Sequence, residues 1–188
     1  MAGIAVIGSG SIGSTIGEAW RRAGRRVTYG SRSPAAPESV AIVDAIASAE
    51  VVLLAIPGSA VPAFLSEHGS ALGGRLVIDA TNDVRAARWH HAEAYASSAP
   101  DVRLARAFNT LGYERFADPA SGGEVPDLFW CGPEDAGVEQ LIADVGLRPV
   151  RVGDIASIDV VDGVGRLWMT LVFQQGHPRR LAFRLVGD

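Results

Sequence analysis

Gly3-Ile4-Ala5-Val6-Ile7-Gly8-Ser9-Gly10-Ser11-Ile12-Gly13 is the stretch whose reading decides the fold: an apolar run that breaks into glycines at a fixed spacing. An unbroken apolar run with no alternation predicts a strand buried on both faces. Gly8 permits a tight turn out of that strand, Gly10 lets the backbone approach a pyrophosphate, and Gly13 lets the following helix, expected over 11–23, pack on the sheet. Ser9, Ser11 and Ile12 belong to the same turn, whose free N–H groups at the helix start face an anion. A second strand is expected over 26–29, and it ends in Gly30-Ser31-Arg32, at the distance where a ribose-reading residue belongs. Strand, glycine turn, helix and second strand together read as a dinucleotide site. An ordinary glycine-rich turn is the plainer alternative.

An NAD-type site places an Asp or Glu after the second strand, to hold the ribose 2′-hydroxyl. None stands there, and the first acid downstream is Glu38. Ser31, Arg32 and Ser33 instead offer a guanidinium fork between two hydroxyls, a set suited to a 2′-phosphate. NADP is therefore expected over NAD. In so arginine-rich a chain, a solvated loop arginine is the competing reading of Arg32.

Working outward, the chain of 188 residues suits one domain with a small appendage, and 48% apolar residues are enough for a sizeable core. A net charge of −4 argues against nucleic acid or a membrane surface as partner. The start runs directly into the first strand, and no apolar run reaches the roughly 18 residues of a membrane span. The expectation is a soluble cytoplasmic protein. All seventeen basic residues are arginine. Without lysine, a Schiff base, a phosphate-loop lysine, the Tyr-Lys pair of short-chain dehydrogenases and the catalytic lysine of β-hydroxyacid dehydrogenases are all excluded. Cys131, the single cysteine, forbids an internal disulfide and a cysteine-based zinc site, and it reads as a small buried hydrophobe. Trp89, His90 and His91 begin a helix expected to run to about residue 98; adjacent histidines lack the spacing of a metal pair, so capping or solvated roles are expected and no metal is assigned.

Downstream, a polar turn over 34–37 and a short helix over 41–49 precede a second unbroken apolar strand over 51–56, again pointing to a parallel sheet covered by helices. Ile56 and Pro57 follow at its carboxyl end, on the side of the ligand crevice. Ser59 is expected to cap a helix running to about residue 67. A strand over 75–79 leads into Ala80-Thr81-Asn82-Asp83, and one over 102–107 into Phe108-Asn109-Thr110-Leu111-Gly112. Asn109 and Thr110 would then lie beside the crevice, where they could hold a nicotinamide carboxamide or a second substrate. Asn109 could equally cap the short helix over 113–117. Strand 127–131, helix 134–145 and strand 149–152 repeat the alternation. The fold expected is a Rossmann-type, doubly wound, mainly parallel α/β sheet over 1–152, with a C-terminal helical segment over 153–188. That segment holds a helix over 160–173 that is apolar on most of its circumference, which calls for cover from its own sheet and a second subunit. Its tail alternates basic and apolar residues, consistent with a short helix on the substrate side.

Gly8-Ser9-Gly10-Ser11-Ile12-Gly13, Tyr29-Gly30-Ser31-Arg32, Leu54-Ala55-Ile56-Pro57, Ala107-Phe108-Asn109-Thr110, Cys131-Gly132 and Gly146-Leu147-Arg148-Pro149-Val150 together resemble the NADP oxidoreductases that use the deazaflavin coenzyme F420. The resemblance runs over nearly the whole chain. It implies a small Rossmann protein, commonly dimeric, that passes a hydride between NADP(H) and the deazaflavin, with the NADP phosphate at the Gly-Ser-Arg turn. Archaeal members carry His where this chain has Asn109. They also have an arginine-containing stretch where it reads Ser157-Ile158-Asp159-Val160-Val161-Asp162. On this view Ile56, Pro57, Asn109 and Thr110 hold the nicotinamide, Trp168 and Met169 wall the second ring, and Arg166, Arg179, Arg180 or Arg184 meets its acidic tail. Hydride transfer between stacked rings needs mainly positioning and exclusion of water, which a lysine-free, metal-free site can supply. The rival readings are an NADPH-dependent reductase of a flavin, quinone, imine or ferric chelate, and a non-catalytic NADPH sensor.

Overall fold

The computed structural model describes residues 3–34 and 39–187; Glu38 and part of the turn expected over 34–37 lie outside them. Strand β1 (Ile4–Ile7) is buried at every position and leads into helix α1 (Ser11–Arg22). Strands β2 (Val27–Ser31) and β3 (Ser39–Ala41) lie to one side of β1, and helix α2 (Ile42–Ala47) follows β3. The chain then crosses back and builds β4 (Val51–Leu54), β5 (Leu76–Asp79) and β6 (Arg103–Arg106) on the other side of β1. All six are parallel. The strand order therefore reverses between β1 and β4, which opens a crevice at their carboxyl ends. Strands β7 (Asp127–Cys131) and β8 (Arg148–Gly153) complete an eight-stranded sheet among the described residues. They are parallel to each other, but β7 meets β6 antiparallel, through the Arg106–Cys131 pair.

The unbroken apolar strands follow from covering both faces. Ile4, Val6, Leu53 and Ile78 point into one core, with Ile16 and Trp20 of α1 and with Val138 and Leu141 of α6 (Ala136–Asp144). Ala5, Ile7, Val52, Leu54 and Val77 point the other way, onto α2, α3 (Val61–His68) and α4 (Ala92–Ser98). Period two then leaves no polar position on β1 or β4. Two local expectations give way. Ser59 makes no capping bond, because residues 58–60 form a single 3₁₀ turn and α3 begins beyond it with Pro62 in its first turn. The helix over residues 89–98 starts only at Ala92, where the buried ring of His90 accepts from the Ala92 N–H at 3.2 Å.

The C-terminal helix α7 (Ile158–Met169) runs on into a wider π turn (Thr170–Gln174). Its Trp168, with Val172 of the turn, joins the core that holds Trp20. The tail forms no helix, contrary to the pattern reading. Its backbone hydrogen bonds are taken by other elements: Trp168 Nε1 donates to Leu181 O at 2.8 Å, Asp127 N to Phe183 O at 2.9 Å, and Leu185 N to Asp127 Oδ2 at 2.6 Å. Its arginines pair with acids on and after helix α5 (Tyr113–Ala117): Arg179 with Glu114, Arg180 with Asp118 and Arg184 with Glu124.

One buried cation ties α7 to the sheet. Arg106 is fully buried and donates through Nε and Nη2 to Asp162 Oδ1 of α7 at 2.9 and 2.8 Å, and through Nη1 to Asp79 Oδ1 at 3.2 Å. Arg106→Met strands two carboxyl groups in the core, and urea unfolding should show a loss of about 3–5 kcal/mol. Arg103→Met on the same strand removes only an exposed pair with Asp135 and should cost less than about 1 kcal/mol. Beside Arg106, burial pushes the Cys131 thiol up to about 12. A raised value keeps the thiol protonated until the pH climbs past it, so at pH 8 only on the order of one molecule in ten thousand carries the reactive thiolate. Native protein should resist a thiol reagent at pH 8 and react fully once unfolded.

Candidate dinucleotide site

The phosphate end is built from glycines whose missing side chains are filled by backbone. Gly8 adopts φ +114°, and a Cβ there would lie 2.3 Å from Ala55 O of the turn after β4. A Cβ on Gly13 would lie 1.9 Å from Gly8 O, so α1 can rest on the turn only without one. Gly10 has nothing within 4 Å, which leaves room for a group to approach the backbone. α1 opens there with no side chain capping its N–H groups and no acid in its first turn, so the positive end of its dipole faces the opening.

A cleft of about 530 Å³ extends from this turn toward β2. Of the residues singled out from the sequence, Gly8, Ser9, Gly10, Ser31, Arg32, Ser33, Ile56 and Pro57 line it. Ser11, Ile12 and Gly13 form the first turn of α1 beside it. Arg32 is exposed, with no ion-pair partner among the described residues, and the Ser33 N–H donates to Ser31 Oγ at 3.1 Å. The guanidinium stands at the rim between two hydroxyl-bearing residues, the donor set a ribose phosphate requires. Sequence reasoning missed the opposite wall, Ala60, Ala63, Phe64, Glu67 and His68, where the Phe64 and His68 rings pack 5.1 Å apart. Its helix was legible, but which face turns to the cleft depends on how α3 lies on the sheet.

Asn109 and Thr110 are placed differently. Both are buried and neither lines the cleft. Asn109 Nδ2 donates to Asp162 Oδ1 at 2.9 Å, and Asn82 Nδ2 donates to Asn109 O at 2.9 Å. Arg106 Nη2 donates to Asn82 Oδ1 at 2.9 Å, and its Nη1 to Thr81 O. The turns after β5 and β6 and the inner face of α7 thus share one network, in which Asn109 is not a helix cap; helix α5 is capped at Gly112 without a side chain. Phe108, just before it, holds φ +63°, a strained position for a bulky residue, and is clamped edge-on between Trp20 and Phe116. This turn aims Asn109 and Thr110 inward. Asp79, Arg106 and Asp162 escaped sequence reasoning, although an arginine in a buried strand and an acid in an apolar helix were visible signals.

Burial, and next the Asp79 carboxylate, hold the Tyr95 phenol well above its ordinary range. Several buried polar atoms in these turns and on α7 have no hydrogen-bond partner among the described residues: Thr81 Oγ1, Asn109 Oδ1, Thr110 Oγ1 and Asp162 Oδ2. Trp168 is buried, and Met169 is half-buried against the same core. Of the arginines considered for an acidic tail, Arg166 donates to Ala87 O at 2.7 Å and lies 4.6 Å from the Trp89 ring centre, while Arg179, Arg180 and Arg184 are the ion-paired residues of the tail. No described helix is long and apolar enough to cross a membrane.

Among solved structures, a candidate F420-dependent NADP-reductase from Arthrobacter sp. FB24 has the same fold, with a TM-score of 0.83 at 22% identity over 100% of both chains. A hypothetical protein from Sinorhizobium meliloti matches with a TM-score of 0.72 at 28% identity, covering 100% of this chain and 97% of that one. An imine reductase from Aspergillus terreus matches with a TM-score of 0.63 at 17% identity, covering 94% of this chain and 67% of that one. The Rossmann-type doubly wound sheet is therefore shared widely, and the sequence match is more specific than the fold. The stretch from β1 through the turn after β5, residues 3–83, matches the family described as NADP oxidoreductase, coenzyme F420-dependent.

Proposed function

We propose that this protein is an NADP(H)-dependent oxidoreductase that passes a hydride between NADP(H) and a small-molecule ring coenzyme, the deazaflavin F420. The observation that carries the cofactor half is Arg32, exposed at the rim of the glycine-walled cleft between Ser31 and Ser33. When bound, NADPH supplies a hydride from its dihydronicotinamide ring. The turn from Gly8 to Gly13 and the start of α1 hold the pyrophosphate, Arg32 the 2′-phosphate, and Ile56 and Pro57 the channel leading on toward the ends of β5 and β6. Along that route Asn82 and Asn109 are locked by the Arg106 network, with Thr110 buried next to Asn109 in the chain, which gives the rigid positioning that hydride transfer needs. The ring acceptor is supported by the family match and by the absence of any lysine to assist a proton transfer.

A second reading is the reduction of an imine, favoured by the excess of buried acceptor atoms around Asp162, which suits an acceptor bearing N–H. Mixing the protein with NADPH and each acceptor in a stopped-flow absorbance experiment separates the two. Bleaching of the deazaflavin supports the first reading; turnover of a cyclic imine without bleaching supports the second.

A homodimer completes the proposal. α7 buries Val161, Gly165 and Trp168, yet leaves Val160 58% and Leu167 51% exposed, with Phe173 of the following turn at 56%. Val160, half-buried Val164 and Leu167 are spaced four and three apart, a stripe that a second copy of α7 can cover.

Replacing Arg32 with Ala should weaken NADPH binding by about 1.5–3 kcal/mol, the scale of hydrogen bonds to a charged group, and leave NADH binding unchanged. Titration calorimetry with both cofactors checks this, and equal loss for both would remove Arg32 from the phosphate site. Light scattering at micromolar concentration should find a dimer that Leu167→Glu converts to a folded monomer.

A further inference from the structure

We infer that Asp162 gives the nicotinamide end of the cleft a negative field, so that the protein holds the oxidised, cationic ring more tightly than the reduced, neutral one. This rests on the reading of the cleft as an NADP(H) site and adds to it the form of the cofactor that the site favours. With the adenosine half at the end of β2, where Arg32 stands, a dinucleotide lying across the crevice places its other half over the ends of β4, β5 and β6. The β4 and β5 turns are in close contact there: a Cβ on Gly58 would lie 2.3 Å from Asp83 N.

The buried charges at the ends of β5 and β6 do not balance. The side chains of Arg106, Asp79 and Asp162 are 0%, 2% and 3% exposed, so two carboxyl groups share one guanidinium. All three donors to Asp162, two from Arg106 and one from Asn109, converge on Oδ1, while Oδ2 is buried with none. On the turns after β5 and β6, Asn109 Oδ1 and the Thr81 and Thr110 hydroxyl oxygens also lack partners among the described residues. Two histidines each face an acid nearby: His90 with Asp159 at 3.1 Å and His91 with Asp83 at 3.4 Å. A buried carboxylate oxygen without donors is rare in a folded protein and costly unless something positive answers it.

Hydride donation supplies that positive charge. Two electrons and one proton leave the dihydronicotinamide together and reduce the acceptor, and the ring changes from neutral to a unit positive charge. At an effective dielectric constant of about 20, one uncompensated negative charge about 12 Å from the ring favours its cationic form about tenfold in affinity, and a closer one favours it more. Tighter binding of the oxidised form makes the bound couple a stronger reductant than the free one, so the site is built to give hydride away.

The test compares the affinities of the purified protein for NADP⁺, NADPH and adenosine 2′,5′-bisphosphate by titration calorimetry. The wild type should bind NADP⁺ about tenfold more tightly than NADPH. In Asp162→Asn, which keeps the shape of the side chain, that preference should fall to near one through loss of NADP⁺ affinity, with the bisphosphate unaffected. Equal affinity of the wild type for the two forms, or a preference for NADPH, overturns the inference and leaves the cofactor assignment standing. Equal weakening of both forms in Asp162→Asn also overturns it, since a merely structural role would act on both. Should that variant fail to fold, the wild-type ratio still decides. No binding of any of the three ligands overturns the cofactor assignment and this inference together.

Discussion

The guanidinium of Arg106 is the constraint on which the site half of the molecule depends. It is buried where β6 ends, and its donors reach β5, the turn beyond β5 and helix α7. A planar fork is needed for this, since a point charge cannot address two carboxyl groups, a carbonyl and an amide in fixed directions. Removing the cation would leave its acids buried and unanswered, so the network holds only as a unit. Phe108 belongs to the same logic. Its positive φ is tolerable because Trp20 and Phe116 grip the ring, and the strained turn sends Asn109 toward Asp162.

The two ends of the crevice are made of different materials. The phosphate end is backbone, in which Gly8, Gly10 and Gly13 remove side chains so that one turn, one helix start and one neighbouring strand can meet. Such an end is indifferent to what the cofactor reacts with. The far end consists of side chains from β5, β6 and α7, brought together from Asp79 to Asp162. In the proposed function that is the end that distinguishes one acceptor from another, and it lies largely beyond the residues that match the family.

The C-terminal arginines show how charge can be used up within a chain. Read alone, a cluster around Arg179 and Arg180 invites an anionic ligand. In the fold Glu114, Asp118 and Glu124 lie along the path of the tail, and the arginines fasten it down. Exposed pairs of this kind contribute little stability each, so their effect is to set the path of the tail while Trp168 and Asp127 take its backbone hydrogen bonds.

The sequence by itself determined the architecture and the phosphate end, because both are local. Ile4–Ile7 and Val51–Leu54 could be read as doubly covered strands from composition alone, and the glycines at 8, 10 and 13 fall at the start of one helix, where Gly13 rests on Gly8. The position of Arg32 followed from counting along one βαβ unit. Only the tertiary structure decided what lies at the other end. Asp79, Arg106 and Asp162 are 27 and 56 residues apart from Arg106 outward, and nothing in their local pattern says that they meet. It decided that β7 turns antiparallel on β6, which brings α7 back over the sheet. It also decided that the tail is extended, since its alternating pattern fits a helix poorly and its partners lie about sixty residues upstream. Short-range sterics are written into neighbouring residues, whereas the pairing of buried charges depends on which elements the packed core brings together.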